Sequence, residues 1–394
     1  MPRPSHRFEN LPPYPMADLP ALKREMRARG VDLIDLGVGD ADLAPPPAAV
    51  QALQTAAEDP VNSRYAFQIG LADLRREIVA FMQERFGVAL DAQREILPII
   101  GSKEGIFHLP FALLDPGDIA IIPDPGYQPY LGGTILAGGD PFVVPLRPEH
   151  DFLIPLDRIP AEVAERAKIL YLNYPNNPTA AIAPRSYLEE AVAFCREHDV
   201  VLAYDNAYSE VAFDGYRPPS ILEIPGARNV AIEFHSMSKT YNMTGWRAGW
   251  AAGDAGLVGL LGRVKTFADT GLPLTIQHAA AAALRSRAEW LPGNLEVFRR
   301  RRDTTVRLLR EAGLKVETPS ATMYLWVELP EGEESEAFAR RLLRDQGVAV
   351  MPGSALGAGG EGFFRIALTV SEERLREAAE RIATLLARPS EMAG

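Results

Sequence analysis

Five short apolar runs, separated by helix-like patterns, constrain the fold of this chain more than any other feature of its sequence. They span residues 96–100, 119–122, 169–172, 200–204 and 230–234. From Ala48 to about Ala280 the runs alternate with amphipathic segments, as βαβ units do. Near-continuous apolar runs are typical of strands buried on both faces. We therefore expect an α/β fold with a mostly parallel sheet covered by helices.

The length of the chain favours two domains. A single core rarely serves 394 residues. The proline-rich residues 1–47 indicate an extended arm and part of a small domain, and residues 48–284 a large domain. Residues 285–394 indicate a smaller α+β domain, with strands over 322–329 and 363–368. A long helix is predicted from near Leu295 to Ala312, with Gly313 as its stop signal.

Charge and cysteine content narrow the classes of function. A net charge of -11 argues against nucleic acid as a partner, since phosphate backbones attract basic surfaces. Cys195 is the one cysteine, which suits a reducing compartment and a buried structural role. The sequence contains no apolar run of membrane-spanning length and no apolar stretch behind Arg3 and Arg7. We expect a cytoplasmic protein without a membrane partner or a metal site.

A lysine in a serine-rich turn is the strongest chemical signal. Lys239 follows Ser236 and Ser238 directly after the run 230–234, and Arg247 comes shortly after. A lysine that forms a Schiff base needs a turn that presents its amine to a pocket. An arginine with nearby hydroxyls suits a phosphate. Together these residues suggest pyridoxal 5'-phosphate.

Polar residues also follow the first two apolar runs, and ligands of open α/β sheets bind beyond the carboxyl ends of strands. Ser102 and Lys103 begin a helical pattern flanked by glycines, which suits a phosphate. The alternative is that Ser102 is an ordinary helix cap. Tyr127 lies in a proline-glycine turn, where it would stack on a flat ring or simply pack in the loop.

The later strands carry further candidates. Asn177 lies in an asparagine-proline turn, a type of turn that is also common without function. Asp205 ends a buried strand and needs a partner, such as a protonated pyridine nitrogen, unless it caps a following helix. Tyr208 is placed to bond a ring hydroxyl. Arg365, inside the apolar pattern 363–368, calls for a carboxylate unless it points outward from an edge strand.

Taken together, these motifs resemble the fold type I, pyridoxal-phosphate-dependent aminotransferases of classes I and II. The resemblance extends from Leu36-Gly37-Val38-Gly39-Asp40 to the Arg365 strand, and the order and spacing of the motifs make it specific. Residues 205–210 and 238–247 are most similar to those of LL-diaminopimelate aminotransferases and their relatives. Ala180 departs from the family pattern, in which glycine is usual at that position.

The resemblance implies a role for each residue. Lys239 would anchor the cofactor as a Schiff base and move a proton between the substrate and the cofactor. Asp205 would pair with the ring nitrogen, Tyr208 and Asn177 with the ring hydroxyl, and Tyr127 would stack on the ring. The phosphate would be bound by Ser102, Lys103, Ser236, Ser238 and Arg247, with Tyr65 from a partner subunit. The substrate α-carboxylate would be bound by Arg365, Asn177 and Gly39. A homodimer is implied.

The expected activity is transfer of an amino group between an amino acid and a 2-oxo acid, with LL-diaminopimelate and 2-oxoglutarate as one pair. An aspartate- or alanine-type aminotransferase and a carbon–sulfur β-lyase on the same fold are the alternatives. A regulator with an aminotransferase-like domain would need a DNA-binding domain, for which the segment before Val31 is too short. The stretch 61–72 contains no acid, and Gln68 is its polar candidate for the substrate side chain. The donor and the acceptor stay open.

Overall fold

A computed structural model describes residues 3–13, 18–67 and 69–387 of the chain. Gln68 lies outside the described residues. Two sheets organise the described part, a large one formed by the middle of the chain and a smaller one near its C-terminus.

The strands of the described residues are listed in chain order. They are β1 (Ile34–Asp35), β2 (Ile96–Ile99), β3 (Ile119–Asp124), β4 (Asp140–Pro145), β5 (Ala167–Leu172), β6 (Val201–Asp205), β7 (Ala231–Ser236), β8 (Gly249–Gly253), β9 (Tyr324–Glu328), β10 (Val348–Ala349), β11 (Met351–Pro352) and β12 (Phe363–Ala367).

The α-helices of the same residues follow in chain order. They are α1 (His6–Glu9), α2 (Leu19–Ala28), α3 (Pro47–Glu58), α4 (Ala72–Phe86), α5 (Ser102–Leu113), α6 (Gln128–Ala137), α7 (Ala161–Arg166), α8 (Arg185–Glu197), α9 (Met237–Thr240), α10 (Ala255–Ala268), α11 (Leu274–Arg285), α12 (Arg287–Glu311), α13 (Ser335–Gln346) and α14 (Glu372–Leu386).

The large sheet has the strand order β2-β8-β7-β6-β5-β3-β4 among the described residues. Strand β8 is antiparallel to β2 and β7, and the other pairs are parallel. All five apolar runs form strands of this sheet, which confirms the predicted α/β fold with a mostly parallel sheet. Neighbouring residues of β5, such as Leu170 and Tyr171, belong to separate apolar clusters on opposite faces. Both faces are therefore covered.

Two strands of the large sheet were not predicted. Strand β4 has three exposed residues and one buried residue, Val144, and Pro141 and Pro145 leave it only a short apolar run, as is common in an edge strand. Strand β8 is fully buried but consists of Gly249-Trp250-Ala251-Ala252-Gly253. Glycine and alanine are poor strand formers, so β8 depends on its pairing with β2 and β7 and on core packing rather than on its own propensity.

The smaller sheet has the order β11-β12-β9, and a separate pair joins β1 to β10. Its core includes Phe298 of α12, Phe338 of α13 and Phe364 of β12. The backbone N–H of Leu36 donates to Ala349, and that of Ala367 donates to Leu36. Residues 34–36 therefore belong structurally with the C-terminal strands.

The predicted extended arm was wrong in part, and the predicted long helix is confirmed except for its start. The first 47 residues are not an extended arm throughout, since α2 packs Leu19 and Met26 against Leu343, and Pro20 stands in its first turn, where proline is tolerated. The long helix begins at Arg287 rather than near Leu295 and continues through Pro292. Pro292 is the sixth residue of this helix, and because it has no backbone N–H it removes one hydrogen bond, the one to the Ala288 carbonyl.

Candidate active site

The polar residues predicted from the sequence gather where β3, β5, β6 and β7 end. The loops after these parallel strands start at the same edge of the sheet. Asn173 joins two of them, since its side-chain amide donates to the Asp205 carbonyl at 2.7 Å and its oxygen accepts from the Asn177 backbone N–H at 2.8 Å. This pair of bonds fixes the loops after β5 and β6 relative to one another.

Asp205 is the last residue of β6 and is buried. Its Oδ2 accepts a hydrogen bond from the Tyr130 hydroxyl at 2.8 Å, whereas its Oδ1 is buried and makes no hydrogen bond with the described residues. Burial raises the pKa of Asp205 to about 6, although Tyr130, His235 and the Ala207 backbone favour the charged form. No regular helix begins directly after β6, so the helix-cap alternative does not account for this carboxylate.

Tyr130 was missed by the sequence analysis. It lies in α6, is fully buried, and its ring stacks on Tyr171 of β5 at 4.7 Å between centroids. A tyrosine in an apolar helix face is usually a core residue, so the pattern contains no signal of its bond to Asp205. Its position three residues after Tyr127 was the one available hint.

Lys239 lies at the end of the short helix α9, directly after β7, and is partly buried. Its Nζ donates a hydrogen bond to the Gly39 carbonyl. The structure thus brings together the predicted anchor lysine and a predicted substrate residue from the far end of the chain. Tyr324 lies beside both, since a Cβ on Gly39 would lie 2.0 Å from its hydroxyl.

Tyr208 and Tyr324 form a buried pair. The Tyr208 hydroxyl donates to the Tyr324 hydroxyl at 3.4 Å. Burial, together with the Tyr324 phenol and the Asp205 charge, raises the pKa of Tyr208 well above its ordinary value. Tyr324, like Tyr130, was missed because it stands in an apolar strand pattern and its polar contacts come from other elements.

Arg247 and Gly101 lie in contact at the N-terminus of α5. Gly101 has φ +75°, and a Cβ there would lie 2.5 Å from Arg247 Nη2. Arg247 itself has φ +57°, a strained conformation for a non-glycine residue, and its Nη1 donates to the Thr244 carbonyl at 2.8 Å. The guanidinium thus lies beside the residue that precedes α5, and a helix N-terminus with a nearby arginine is an arrangement suited to a phosphate.

The serines lie at the same place. Ser236 ends β7 opposite Gly249, and a Cβ on Gly249 would lie 3.1 Å from the Ser102 backbone nitrogen. The Ser236 hydroxyl accepts from the Ser238 backbone N–H at 3.2 Å, and Ser102, Ser236 and Ser238 are all buried. Ser102 is the first residue of α5 and makes no capping bond, so the ordinary cap predicted as the alternative is not formed.

Tyr127 precedes α6 and is partly buried. Its ring contacts Tyr130 edge to face at 5.8 Å, and the Lys103 ammonium lies 6.0 Å from its centroid. The Tyr127 turn is held by the C-terminal part of the chain, because the Gly126 N–H donates to the Leu356 carbonyl at 2.9 Å.

Arg365 is buried in β12, with its guanidinium held from three sides. Nη1 donates to Asn177 Oδ1 at 2.7 Å, and Nη2 donates to the Gly37 carbonyl at 2.8 Å. The Tyr324 ring lies against one face, with its centroid 4.3 Å from Cζ. Nε is buried and makes no hydrogen bond within the described ranges. The outward-pointing alternative is therefore wrong, and N–H groups remain for an anion.

The Gly39 loop is fastened to the C-terminal elements. Besides the Gly37–Arg365 bond, the Thr369 hydroxyl donates to the Val38 carbonyl at 2.9 Å. The Arg301 guanidinium of α12 binds both Asp42 carboxylate oxygens, at 2.7 and 2.8 Å. The predicted substrate residues Gly39 and Arg365 are thus joined to the same C-terminal elements.

Tyr65 does not join these residues through any contact among the described residues. Its ring is 72% exposed, and its aromatic neighbour is Phe67, at 6.5 Å between centroids. Within the same ranges, no group of three or more histidine, cysteine or acidic side chains is arranged to hold a metal ion. None of the helices described is both long and apolar enough to cross a membrane.

Comparisons with known proteins agree with this geometry. A family model described as aminotransferase class I and II matches residues 31–382. The chain is 49% identical over 382 residues to an LL-diaminopimelate aminotransferase of Desulforudis audaxviator, covering 97% of both. It is 47% identical over 380 residues to one of Nitratidesulfovibrio vulgaris, covering 96% of this chain and 98% of the relative. The substrate-bound structure of BacF from Bacillus subtilis matches with a TM-score of 0.94 and 34% identity, over 98% of both chains.

Proposed function

The chain belongs to the class I and II aminotransferases and transfers an amino group between an amino acid and a 2-oxo acid, and we propose that its cofactor is pyridoxal 5'-phosphate. We further propose that its substrates are LL-diaminopimelate and 2-oxoglutarate. The cofactor is the one that the family implies. LL-diaminopimelate is supported by the names of the two relatives at 49% and 47% identity, and 2-oxoglutarate is the acceptor that the family resemblance implies.

The observation that carries the proposal is the unbonded Asp205 Oδ1. A buried carboxylate oxygen without a partner is costly, and a cationic ring nitrogen is the partner that the cofactor offers. The contact between Gly101 and Arg247 supports a phosphate at the start of α5. Both ends of the cofactor therefore have matching chemistry in this chain.

We assign the residues as follows. Asp205 would hold the ring nitrogen, Tyr208 and Asn177 the ring hydroxyl, Tyr127 the ring face, and Lys239 the covalent attachment. The phosphate would be held by Ser102, Lys103, Ser236, Ser238 and Arg247, with Tyr65 from a partner subunit.

The bound cofactor supplies an electron-withdrawing ring that stabilises negative charge at the substrate α-carbon. Arg365 and Asn177 would orient the α-carboxylate, and so direct the α-carbon toward Lys239. Lys239 Nζ, which donates to the Gly39 carbonyl, would take the α-proton and return it. The buried Tyr208 phenol keeps its proton, because its pKa is raised, and so stays a hydrogen-bond donor.

Borohydride reduction tests the anchor. The purified protein should show a visible absorption band that borohydride removes, and mass spectrometry should place the reduced adduct on Lys239. Lys239→Ala should carry no adduct, whereas the control Lys103→Ala, which removes the other lysine of the site, should keep it. An adduct of normal yield in Lys239→Ala would overturn the assignment.

A half-reaction screen tests the substrates. Single amino acids are added to the cofactor-loaded protein, and conversion of the visible band is followed. LL-diaminopimelate and L-glutamate should convert the band faster than aspartate, alanine or meso-diaminopimelate. A preference for aspartate or alanine would refute the substrate pair but not the transamination. Release of pyruvate from cystathionine would instead indicate a carbon–sulfur β-lyase.

A homodimer is the proposed assembly. Several large apolar side chains are exposed close together in sequence, namely Val61, Tyr65, Phe67 and Ile69, and Phe267 is 90% exposed. The loop after α10 meets the same stretch, since a Cβ on Gly271 would lie 2.3 Å from the Phe67 carbonyl oxygen. Exposed apolar patches of this kind mark protein interfaces.

Hybrid dimers test the assembly and the position of Tyr65 together. Lys239→Ala and Tyr65→Ala chains are co-expressed with different tags, and the mixed dimer is isolated. If Tyr65 acts across the interface, one site of the hybrid has both residues, and transamination returns with the wild-type KM. If Tyr65 acts within its own chain, neither site is complete and activity stays lost.

We also propose the domain division 1–47, 48–284 and 285–394, in which the first segment belongs partly to the small domain. The pairing of β1 with β10 supports this division. The cytoplasm is the proposed compartment, which suits the single buried thiol of Cys195.

A further inference from the structure

Tyr324 occupies the junction between the two sheets. It is the first residue of β9, pairs with Ala367 of β12, and therefore belongs to the same sheet as Arg365. Its hydroxyl meets Tyr208, which follows β6 of the large sheet, at 3.4 Å. Its ring lies 4.3 Å from Arg365 Cζ. One side chain thus contacts both the proposed carboxylate site and the proposed ring-hydroxyl site.

The three contacts of Arg365 are complementary. Asn177 and Gly37 accept hydrogen bonds in the plane of the guanidinium, which fixes its position in that plane. The Tyr324 ring contacts the flat face and so limits tilting, as cation–π stacking does. Nε makes no hydrogen bond with the described residues, and each Nη carries a second hydrogen besides the one it donates. The stacked Tyr324 ring therefore holds the N–H groups of the Arg365 guanidinium in one orientation.

Burial and nearby positive charges act on the Tyr324 hydroxyl in opposite directions. Burial raises the pKa of the Tyr324 phenol, but the charges of Lys239 and Arg365, with the Tyr208 hydrogen bond, outweigh burial and lower that pKa. A tyrosine hydroxyl has one donor and two acceptor positions. When Tyr208 turns its proton toward a ligand, Tyr324 is placed to donate its own to the Tyr208 oxygen.

We propose that Tyr324 is a positioning residue with two separable parts: its ring orients Arg365 for the substrate α-carboxylate, and its hydroxyl supports Tyr208 as a donor to the cofactor ring hydroxyl. The proposal rests on the proposed function. It assigns a role to a residue that contacts Tyr208, Arg365 and Gly39.

Two variants of the cofactor-loaded protein separate the two parts. Tyr324→Phe keeps the ring and removes the hydroxyl, whereas Tyr324→Leu removes both. Tyr187→Phe is the matched control, because it removes another buried hydroxyl, 3.1 Å from the Ile154 carbonyl. Two quantities are measured: the pH midpoint of the visible cofactor band without substrate, and the half-saturating L-glutamate concentration in single-turnover half-reactions.

The expected results differ between the variants. Tyr324→Phe should raise the pH midpoint by about 0.5 unit, because weaker donation from Tyr208 to the ring hydroxyl makes deprotonation of the bound cofactor harder. Its half-saturation should stay within about twofold of wild type, since the stacked ring is retained. Tyr324→Leu should raise half-saturation roughly tenfold, with a much smaller change in the maximal rate. The control should match wild type in both.

An unchanged midpoint in Tyr324→Phe would overturn the hydroxyl part, and unchanged half-saturation in Tyr324→Leu would overturn the ring part. If Tyr324→Leu does not fold, Tyr324→Phe still decides the hydroxyl part, and Tyr324→Met replaces Leu for the ring part. Failure of the proposed function would look different, because wild type itself would then lack the visible band or the half-reaction.

Discussion

The Tyr130 hydroxyl binds one oxygen of Asp205 at 2.8 Å, and the other oxygen of this buried carboxylate makes no hydrogen bond with the described residues. The bond fixes the orientation of the carboxylate, and the unbonded oxygen marks where a cationic partner would be stabilised. In the absence of that partner, the charge on Asp205 works against folding.

This charge should make the stability of the cofactor-free protein depend on pH. Burial raises the pKa of Asp205 from 3.8 to about 6, so the folded state holds a proton that the unfolded state has lost within this window. The contribution of Asp205 therefore falls as pH rises from about 4 to 6 and is constant above. Between pH 5 and 7, the unfolding free energy of wild type relative to Asp205→Asn should drop by roughly 1 kcal/mol. Urea unfolding of the two cofactor-free proteins measures this drop. A difference in unfolding free energy that does not change with pH would contradict the prediction.

Replacement of Arg365 by Ala should raise KM for every α-carboxylate substrate. The guanidinium would provide charge-assisted bonds worth about 2 kcal/mol or more, equivalent to roughly a 30-fold change. Steady-state kinetics with L-glutamate and 2-oxoglutarate measures the effect. Arg374→Ala, which removes a partly exposed arginine paired with Asp32, is the control and should leave KM unchanged. If both variants keep the wild-type KM, Arg365 is structural.

Removal of the Asp42 carboxylate should loosen the Gly39 loop. Asp42→Ala deprives the buried Arg301 of its two bonds at 2.7 and 2.8 Å. We expect KM to rise about fivefold, with kcat little changed, because the loop positions substrate but does not carry out the proton transfer. The matched control is Asp214→Ala, which removes a carboxylate from the neighbouring buried Arg302, at 2.6 Å. Equal effects of the two variants on KM would argue against the role of the loop.

Ala180→Gly should stabilise the protein. Ala180 has φ +58°, a conformation that costs an alanine energy and that glycine adopts freely. After allowance for the greater freedom of glycine in the unfolded chain, the gain should be about 0.5 kcal/mol. Urea unfolding measures it. Ala181→Gly, outside the left-handed region, should destabilise the protein, and a loss of stability in Ala180→Gly would contradict the prediction.

The parts of the fold that were predictable are those in which local pattern and burial agree. The strands with continuous Ile, Leu and Val runs were predicted, since burial on both faces requires such runs. Strand β8 depends on its neighbours rather than on its own glycines and alanines. Helix α2 is stabilised by contact with Leu343, more than 300 residues away in sequence. Such long-range contacts leave no local pattern.

The same distinction holds in the site. Lys239, Asp205 and Arg365 stand out because a charged group within an apolar run, or shortly after one, requires an explanation. Tyr130 and Tyr324 do not, because a tyrosine suits a core and its hydroxyl partner is chosen by packing. The role of Gly39 was inferred from the family resemblance. Its hydrogen bond with Lys239 depends on how the two sheets meet.

The joining of residues 34–42 to the C-terminal strands has a consequence for synthesis of the protein. Gly37 and Arg365, which share a hydrogen bond, are 328 residues apart in sequence. During synthesis on the ribosome, the large sheet can form before Arg365, the hydrogen-bond partner of Gly37, has been added to the chain. A chain released before β12 would contain Lys239, Asp205 and Arg301 but no Arg365, so its Gly39 loop would lack the hydrogen bond between Gly37 and Arg365. The proposed carboxylate site can therefore be completed only after nearly the whole chain has been synthesised.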